Sequence, residues 1–168
     1  MKTIKTLPKK TELQEIFEYR DGNLYWKKTY AKAKKGAIVG WVEKNGYKAA
    51  SLNGVRYRLH RLVFAFHYEN CPDILDHING DRSDNRIENL RPATISQNNV
   101  NRKHNRNNKI GLKGVCADQG KFKASIKINN RSKHLGYFQT PEEAHSVYMM
   151  AAKAFYGEFA WTKNSAST

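Results

Sequence analysis

Asp76-His77-Ile78-Asn79-Gly80-Asp81-Arg82-Ser83-Asp84-Asn85-Arg86-Ile87-Glu88-Asn89-Leu90 is the stretch that decides the fold of this chain. It reads as strand, turn and helix. Asn79-Gly80 is a tight-hairpin signal, and Asp84-Asn85 starts a helix expected over residues 84–90. An isolated Asp-His pair before a turn is usually ordinary loop chemistry. Here the set is fuller: a carboxylate (Asp76), an imidazole (His77) and two amides (Asn89 and, further on, Asn98). Such a set suits one divalent cation and one activated water, which is what phosphodiester hydrolysis requires, because anionic oxygens repel the nucleophile and the leaving alkoxide is poor. Asp76 and Asn98 are the candidate ligands, since hard cations prefer oxygen donors and keep much of their water. An unperturbed imidazole titrates near ~6.5, so neutral His77 is the candidate base. Asn89, able to donate and accept, is expected to fix the hairpin or the ring.

The neighbours extend the pattern. His60-Arg61-Leu62-Val63 leads into an apolar segment, and after Asp76-His77 come Asn79-Gly80-Asp81, Asn85-Arg86, Asn89-Leu90-Arg91 and Ser96-Gln97-Asn98. This ordered string resembles the HNH homing endonucleases of the phage and intron group, starting near Phe17-Glu18-Tyr19-Arg20-Asp21-Gly22-Asn23-Leu24-Tyr25-Trp26 and running through Asn98. The resemblance implies a ββα-metal (His-Me finger) nuclease fold with one metal per active site, Mg²⁺ first and Mn²⁺ second. His77 then matches the general base and Asn89 the central Asn that supports the hairpin. Asn98 matches the third motif position and holds the metal with Asp76. His60 also matches a motif position, read as structural, closing the helix start against the hairpin. Arg91 is a weaker candidate for a phosphate contact, set against a surface salt bridge. Some relatives carry a structural zinc, for which this chain lacks the ligands, so no zinc is expected.

At 168 residues with 39% hydrophobic content, the chain has room for two modest cores. Its formal net charge of +15 and pI near 9.9 favour a polyanionic partner, nucleic acid first and an anionic membrane second; double-stranded DNA is the nucleic acid that the resemblance implies. The membrane reading is weak, because no stretch approaches ~20 consecutive apolar residues. Met1-Lys2-Thr3-Ile4-Lys5 lacks the apolar run of a secretory signal, so a cytoplasmic protein is expected, in the host cytoplasm if phage-encoded. Cys71 and Cys116 are far apart and each reads as a buried small hydrophobe.

Along the first half, a short helix is expected over residues 11–19, with Leu13, Ile16 and Phe17 on one face. Strands are expected over 23–28, 37–41, 47–52 and 55–59, the last two joined at Asn53-Gly54. That small sheet is either a DNA-facing surface or simply core. A helix follows over residues 60–68, ended before Pro72. Residues 98–109 then shift to Asn, Lys and Arg without acid, a linker in which Arg102, Lys103, Arg106 and Lys109 are suited to track phosphates by counterion release.

In Lys121-Phe122-Lys123-Ala124-Ser125-Ile126-Lys127-Ile128 the alternation has period two. Phe122, Ala124, Ile126 and Ile128 share a core face; Lys121, Lys123, Ser125 and Lys127 share a cationic one. Asn129-Asn130 turns the chain into a partner strand over residues 132–138. Thr140-Pro141-Glu142-Glu143 is a capping box, followed at helical spacing by Ala144, Val147, Tyr148, Ala151, Ala152 and Phe155 until Gly157, with Met149-Met150 read as core.

Gly114-Val115, Lys121-Phe122, Ala124, Ile126, Leu135-Gly136-Tyr137-Phe138, Thr140, Glu142-Glu143-Ala144 and Tyr148 together resemble the ethylene-response-factor (Apetala-type) DNA-binding domain over most of residues 109–160. That resemblance implies a sheet laid in the major groove, with Lys121, Lys123, Ser125, Lys127, Ser132 and His134 facing DNA. Several Arg and Trp contacts of the plant proteins are absent, and Lys lacks the rigid fork of Arg, so target sequence does not transfer. The expectation is an α+β chain: an HNH nuclease domain over residues 1–98 with its motif core at 60–98, and a basic linker over 99–111. A three-stranded antiparallel sheet packed on one helix follows over 112–161, with a tail over 162–168. The expected activity is metal-dependent, site-directed cleavage of DNA, by a monomer; the alternatives are a sequence-specific DNA-binding protein with an inactive nuclease site, or a basic RNA-binding protein.

Overall fold

The computed structural model describes residues 6–30, 32–102, 107–129 and 131–160. The fold is α+β, with several small antiparallel sheets, and it divides into two compact units, Met1–Pro92 and Ala93–Thr168. Among the described residues no helix is long and apolar enough to cross a membrane.

The first unit begins with helix α1 (Lys10–Ile16), whose Glu12 carboxylate accepts the Lys9 N–H at 3.1 Å. The expected helix ran to residue 19, but the chain leaves it at Phe17 to form β1 (Phe17–Arg20), which pairs with β2 (Asn23–Trp26). The physical reason is the turn Asp21-Gly22, with φ of 44° and 77°, the conformation that closes a two-residue hairpin. Gly22 has a second reason to lack a side chain. A Cβ there would lie 2.5 Å from the Arg86 backbone nitrogen and 2.8 Å from the Asn85 carbonyl carbon. Gly22→Ala is therefore expected to cost roughly 1–3 kcal/mol in urea unfolding, since neither the φ nor the facing backbone can relax cheaply.

Strands β3 (Trp41–Val42), β4 (Lys48–Leu52) and β5 (Val55–Arg58) form the next sheet in that order, with the tight turn at Asn53-Gly54 as expected. Residues 37–40, expected as strand, contribute only the isolated bridge of Ile38 to Tyr25. Ala50 and Leu52 enter the core, whereas Trp41 stays exposed with the Arg56 guanidinium 5.9 Å over its ring. Helix α2 (Leu59–His67) buries Leu59, Leu62, Val63, Phe64 and Ala65 against Leu13, Phe17 and Leu24, which makes the core of this unit.

The ribbon that follows pairs β6 (Leu75–His77) with β7 (Leu90–Pro92), placing Asp76 opposite Arg91 and His77 opposite Leu90. The helix expected over residues 84–90 is absent. Only a 3-10 turn at Ile87–Asn89 occurs, because local side chains claim the backbone groups a helix would use. Asp84 accepts from Arg86 N–H, Nε and Nη2, and Asn89 Nδ2 donates to the Asp84 carbonyl at 2.7 Å.

In the second unit, α3 (Ile95–Val100) starts at a reciprocal cap, Gln97 N–H to Thr94 Oγ1 and Thr94 N–H to Gln97 Oε1. Strands β8 (Val115–Asp118), β9 (Lys121–Ile128) and β10 (Arg131–Phe138) form a three-stranded antiparallel sheet with β9 central. Helix α4 (Pro141–Tyr156) opens with the expected Thr140/Glu143 capping box and buries Ala144, Tyr148 and Ala152 against Ala124 and Ile126. Two expectations fail here: Phe155 is 51% exposed, with Lys133 over its ring, and Met150 is 65% exposed. The buried stripe steps by four from Ala144, and both residues fall off it. Cys116 is also exposed rather than buried, on the outward face of β8; Cys71 is partly buried against the first core.

Candidate active site

The hairpin loop between β6 and β7 is built from amides. Asn89 Oδ1 accepts the Asn79 N–H at 3.0 Å, its Nδ2 donates to Asn79 Oδ1 at 3.1 Å, and its carbonyl accepts the Ile78 N–H at 2.9 Å. Asn79 Oδ1 also accepts the Asp81 N–H, and its Nδ2 donates to Asp84 Oδ2 at 2.8 Å. The Arg86 guanidinium beside Asp84 holds that carboxyl down at about 2, so Asp84 is ionised near neutral pH. The Ile87 N–H donates to the Tyr19 hydroxyl at 3.0 Å, which ties the loop to β1.

His77 sits at the centre, 5% exposed, with Nε2 3.0 Å from Asn85 Oδ1. With the amide oxygen as acceptor, Nε2 carries the ring proton and Nδ1 the lone pair. Burial pushes the His77 pKa below its ordinary value; the Asn85 hydrogen bond and the charges of Asp76, Asp81 and Asp84 oppose that shift. The imidazole is therefore neutral near pH 7, the form a base needs.

Asp76 lies 3% exposed, and both Arg91 Nε (3.0 Å) and Nη2 (2.9 Å) donate to its Oδ2. The Arg91 salt bridge is thus buried with Asp76 and does not lie on the surface. The Arg91 side chain is 10% exposed and its Nε and Nη2 hold the Asp76 Oδ2, because the antiparallel register sets the two residues opposite each other.

Beside His77 stand His60, ring centroids 5.1 Å apart in edge contact, and Tyr47 at 6.0 Å. Tyr47 is itself flanked by Arg58 at 4.9 Å and Arg82 at 5.0 Å. His60 is 8% exposed and its Nδ1 has no hydrogen-bond partner; burial, then the His77 and Arg61 charges, lower its pKa to about 3. The sign follows. Between pH 6.5 and about 3 the unfolded chain protonates His60 and the folded chain does not, so stability present above 6.5 is lost as pH falls. His77 acts in the same direction. A loss of about 2 kcal/mol from His60 alone is expected between pH 7 and pH 5. Urea midpoints at the two pH values, compared between the natural protein and His60→Phe, measure it, and the variant should show the flatter acid limb.

The structure therefore brings Asp76, His77, Asn89 and Arg91 together on one hairpin. Asn98, half-buried on α3, belongs to the second unit. Arg102 and Lys109 are exposed there, whereas Lys103 and Arg106 lie outside the described residues. On the sheet, Ser132 pairs with Lys127 and His134 with Ser125, so Lys121, Lys123, Ser125, Lys127, Ser132 and His134 share the face turned from α4. Asp118 and Tyr137 share it as well, joined by a 2.9 Å hydrogen bond. Sequence reasoning missed Asn85, Tyr47 and the burial of Arg91. Asn85 stood in the motif string as Asn85-Arg86, but no periodicity marks a loop position as the partner of His77.

Among the described residues no three or more His, Cys, Asp or Glu side chains are grouped to hold a metal ion. Asp76 supplies a carboxylate, a hard oxygen donor of the kind that fits an alkaline-earth cation completed by water and phosphate oxygens.

Residues 57–100 match the family described as HNH endonuclease. The chain is also 32% identical, over 123 residues, to an uncharacterized HNH endonuclease of Acanthamoeba polyphaga mimivirus. That match covers 71% of this chain and 64% of the viral protein, so the chain spans less than two thirds of the relative's length. No solved structure matches. Over residues 57–100 the chain carries a domain similar to the HNH endonucleases, and the hairpin of Asp76, His77, Asn85 and Asn89 lies inside it.

Proposed function

We propose that this protein is a metal-dependent DNA endonuclease of the HNH homing type. The observation that carries the reading is the buried, neutral His77, held at Nε2 by Asn85 beside the buried carboxylate of Asp76. In this reading His77 Nδ1 takes a proton from water, and the water attacks phosphorus in line with the departing 3′ oxygen. Asn85 holds the imidazole ring, Asn89 holds the loop that carries it, and Arg91 orients Asp76. A divalent cation, Mg²⁺ or Mn²⁺, held by Asp76 and Asn98 would supply positive charge to the scissile phosphate and the leaving oxygen.

The second unit supplies binding, as an ethylene-response-factor-like domain preceded by the basic segment. Lys121, Lys123, Ser125, Lys127, Ser132 and His134 face DNA, and Arg102, Lys103, Arg106 and Lys109 track phosphates. The net charge of +15 supports a polyanionic partner, whose affinity then falls steeply with salt. One active site per monomer most simply nicks one strand. The test is conversion of supercoiled plasmid to nicked circles by purified protein with Mg²⁺ or Mn²⁺, beside EDTA. Salt-sensitive binding without cleavage, on a library of inserts as well as on plasmid, would favour a binding protein instead.

A further inference from the structure

Arg82 lies in the loop that joins β6 to β7, the loop whose side chains surround His77. Elsewhere in the first unit Arg20 pairs with Glu18, Arg56 and Arg58 with Glu43, Arg86 with Asp84 and Arg91 with Asp76. Arg61 donates to the carbonyls of Pro72 and Asp73. Arg82 has no carboxylate partner among the described residues, although its own loop holds two: Asp84 is taken by Arg86 and Asn79, and Asp81 Oδ1 accepts the N–H and the hydroxyl of Ser83. Its Nη1 donates to the Asn45 carbonyl at 3.2 Å, and its Cζ stands over the Tyr47 ring, 5.0 Å from the centroid. Among the described residues nothing accepts from its Nε or Nη2, the fork with which Arg91 grips Asp76. The Tyr47 ring under Arg82 is 6.0 Å from the ring of His77 and 5.5 Å from that of His60, so the open fork is held beside the candidate base. Arg58 stands over the same ring at 4.9 Å. Two guanidiniums at one ring repel; Glu43 offsets the charge of Arg58, and that of Arg82 is left uncompensated. A guanidinium fixed by stacking and by one hydrogen bond, with its fork open and no acid paired to it, is preorganised for a phosphate.

We propose that Arg82 is a further catalytic residue of this site: its Nε and Nη2 hold the non-bridging oxygens of the phosphodiester being cut, and Tyr47 is the positioning residue that keeps the fork beside His77. This rests on the nuclease reading and involves residues of the first unit alone. As water adds to phosphorus, charge gathers on those oxygens, and a fixed pair of donors stabilises that state more than it stabilises bound DNA. Loss of Arg82 therefore lowers the rate more than the affinity. A contact with a neighbouring phosphate would do the reverse.

The experiment uses the full chain with Arg82→Met, Arg82→Lys, Tyr47→Phe, Tyr47→Leu and the Tyr47→Leu/Arg82→Met double variant. Three quantities are read: the nicking rate of supercoiled plasmid at saturating protein, the affinity for the same plasmid with its salt dependence, and the urea midpoint. Arg82→Met should slow nicking by about 10²- to 10³-fold, the scale on which one such donor group acts. Its DNA affinity should stay within about tenfold, because one phosphate contact among many lowers the salt slope by about one at most. Arg82→Lys should nick at an intermediate rate, since it keeps the charge without the fork. Tyr47→Phe, which keeps the ring, should match the natural protein. Tyr47→Leu should be slower, and in the Arg82→Met background it should add little, because both act on one interaction. Should Arg82→Met fail to fold, Arg82→Gln, which keeps a donor for the Asn45 carbonyl, carries the same test. An unchanged rate, a loss confined to DNA affinity, or a loss of rate that merely follows a fall in the urea midpoint would overturn the proposal and leave the nuclease standing. A natural protein that nicks neither plasmid nor a library of inserts would instead remove the nuclease reading, and this inference with it.

Discussion

His77→Ala is expected to lower the nicking rate at saturating protein by about 10²- to 10⁴-fold with DNA affinity nearly unchanged, since general-base catalysis contributes on that scale. The residue's burial makes its pH profile informative. Only the neutral imidazole acts as a base, so the rate should rise as pH climbs through a pKa held below 6.5 and level off above it. Asn85→Asp should move that rising limb to higher pH, because a carboxylate against Nε2 favours the imidazolium. Asn85→Ala should lower the plateau, since the ring loses the acceptor that sets its tautomer and its orientation. Plasmid nicking between pH 5 and 8 separates the two variants. A His77→Ala protein that nicks at the natural rate would remove His77 as the base.

The second large effect concerns the ion pair beneath it. Arg91→Met should destabilise the folded protein by roughly 3–5 kcal/mol, because it removes the guanidinium that donates two hydrogen bonds to the buried Asp76 carboxylate. Asp76→Leu should do the same from the other side. The double variant Asp76→Leu/Arg91→Met should be far less destabilised than the sum of the two, since replacing both charges by apolar groups removes the burial penalty together with the attraction. It should nevertheless be inactive as a nuclease, having lost the carboxylate. Urea unfolding of the four proteins measures the coupling. Additive losses would mean that the pair is not the unit the hydrogen bonds depict.

Much of the architecture was legible because it rests on local signals. The period of two in β9, the Thr140-to-Glu143 cap of α4, the Asn53-Gly54 turn and the apolar stripe of α2 each specify an element within a few residues of chain. Residues 84–90 show the limit. Asp84 and Asn85 read as a helix start, yet Asp84 takes Arg86 and Asn79 as partners and Asn89 claims the Asp84 carbonyl, so the segment folds back as a loop. Phe17 likewise belongs to the face of an amphipathic helix by spacing, and enters a strand because the hairpin turn that follows offers it a partner.

The amino-acid sequence by itself determined the presence of a carboxylate, an imidazole and hairpin amides in one short stretch, two modest cores, and a cationic strand face. These are properties of composition and short-range spacing, which the unfolded chain already holds. Tertiary structure alone decided that His77 is neutral and held by Asn85, that Arg91 serves Asp76, and that His60 lies desolvated beside His77. Each of these depends on which side chains meet after the chain closes and on how much water is left between them. Desolvation and hydrogen-bond partnership are created by packing, and no window of sequence encodes them.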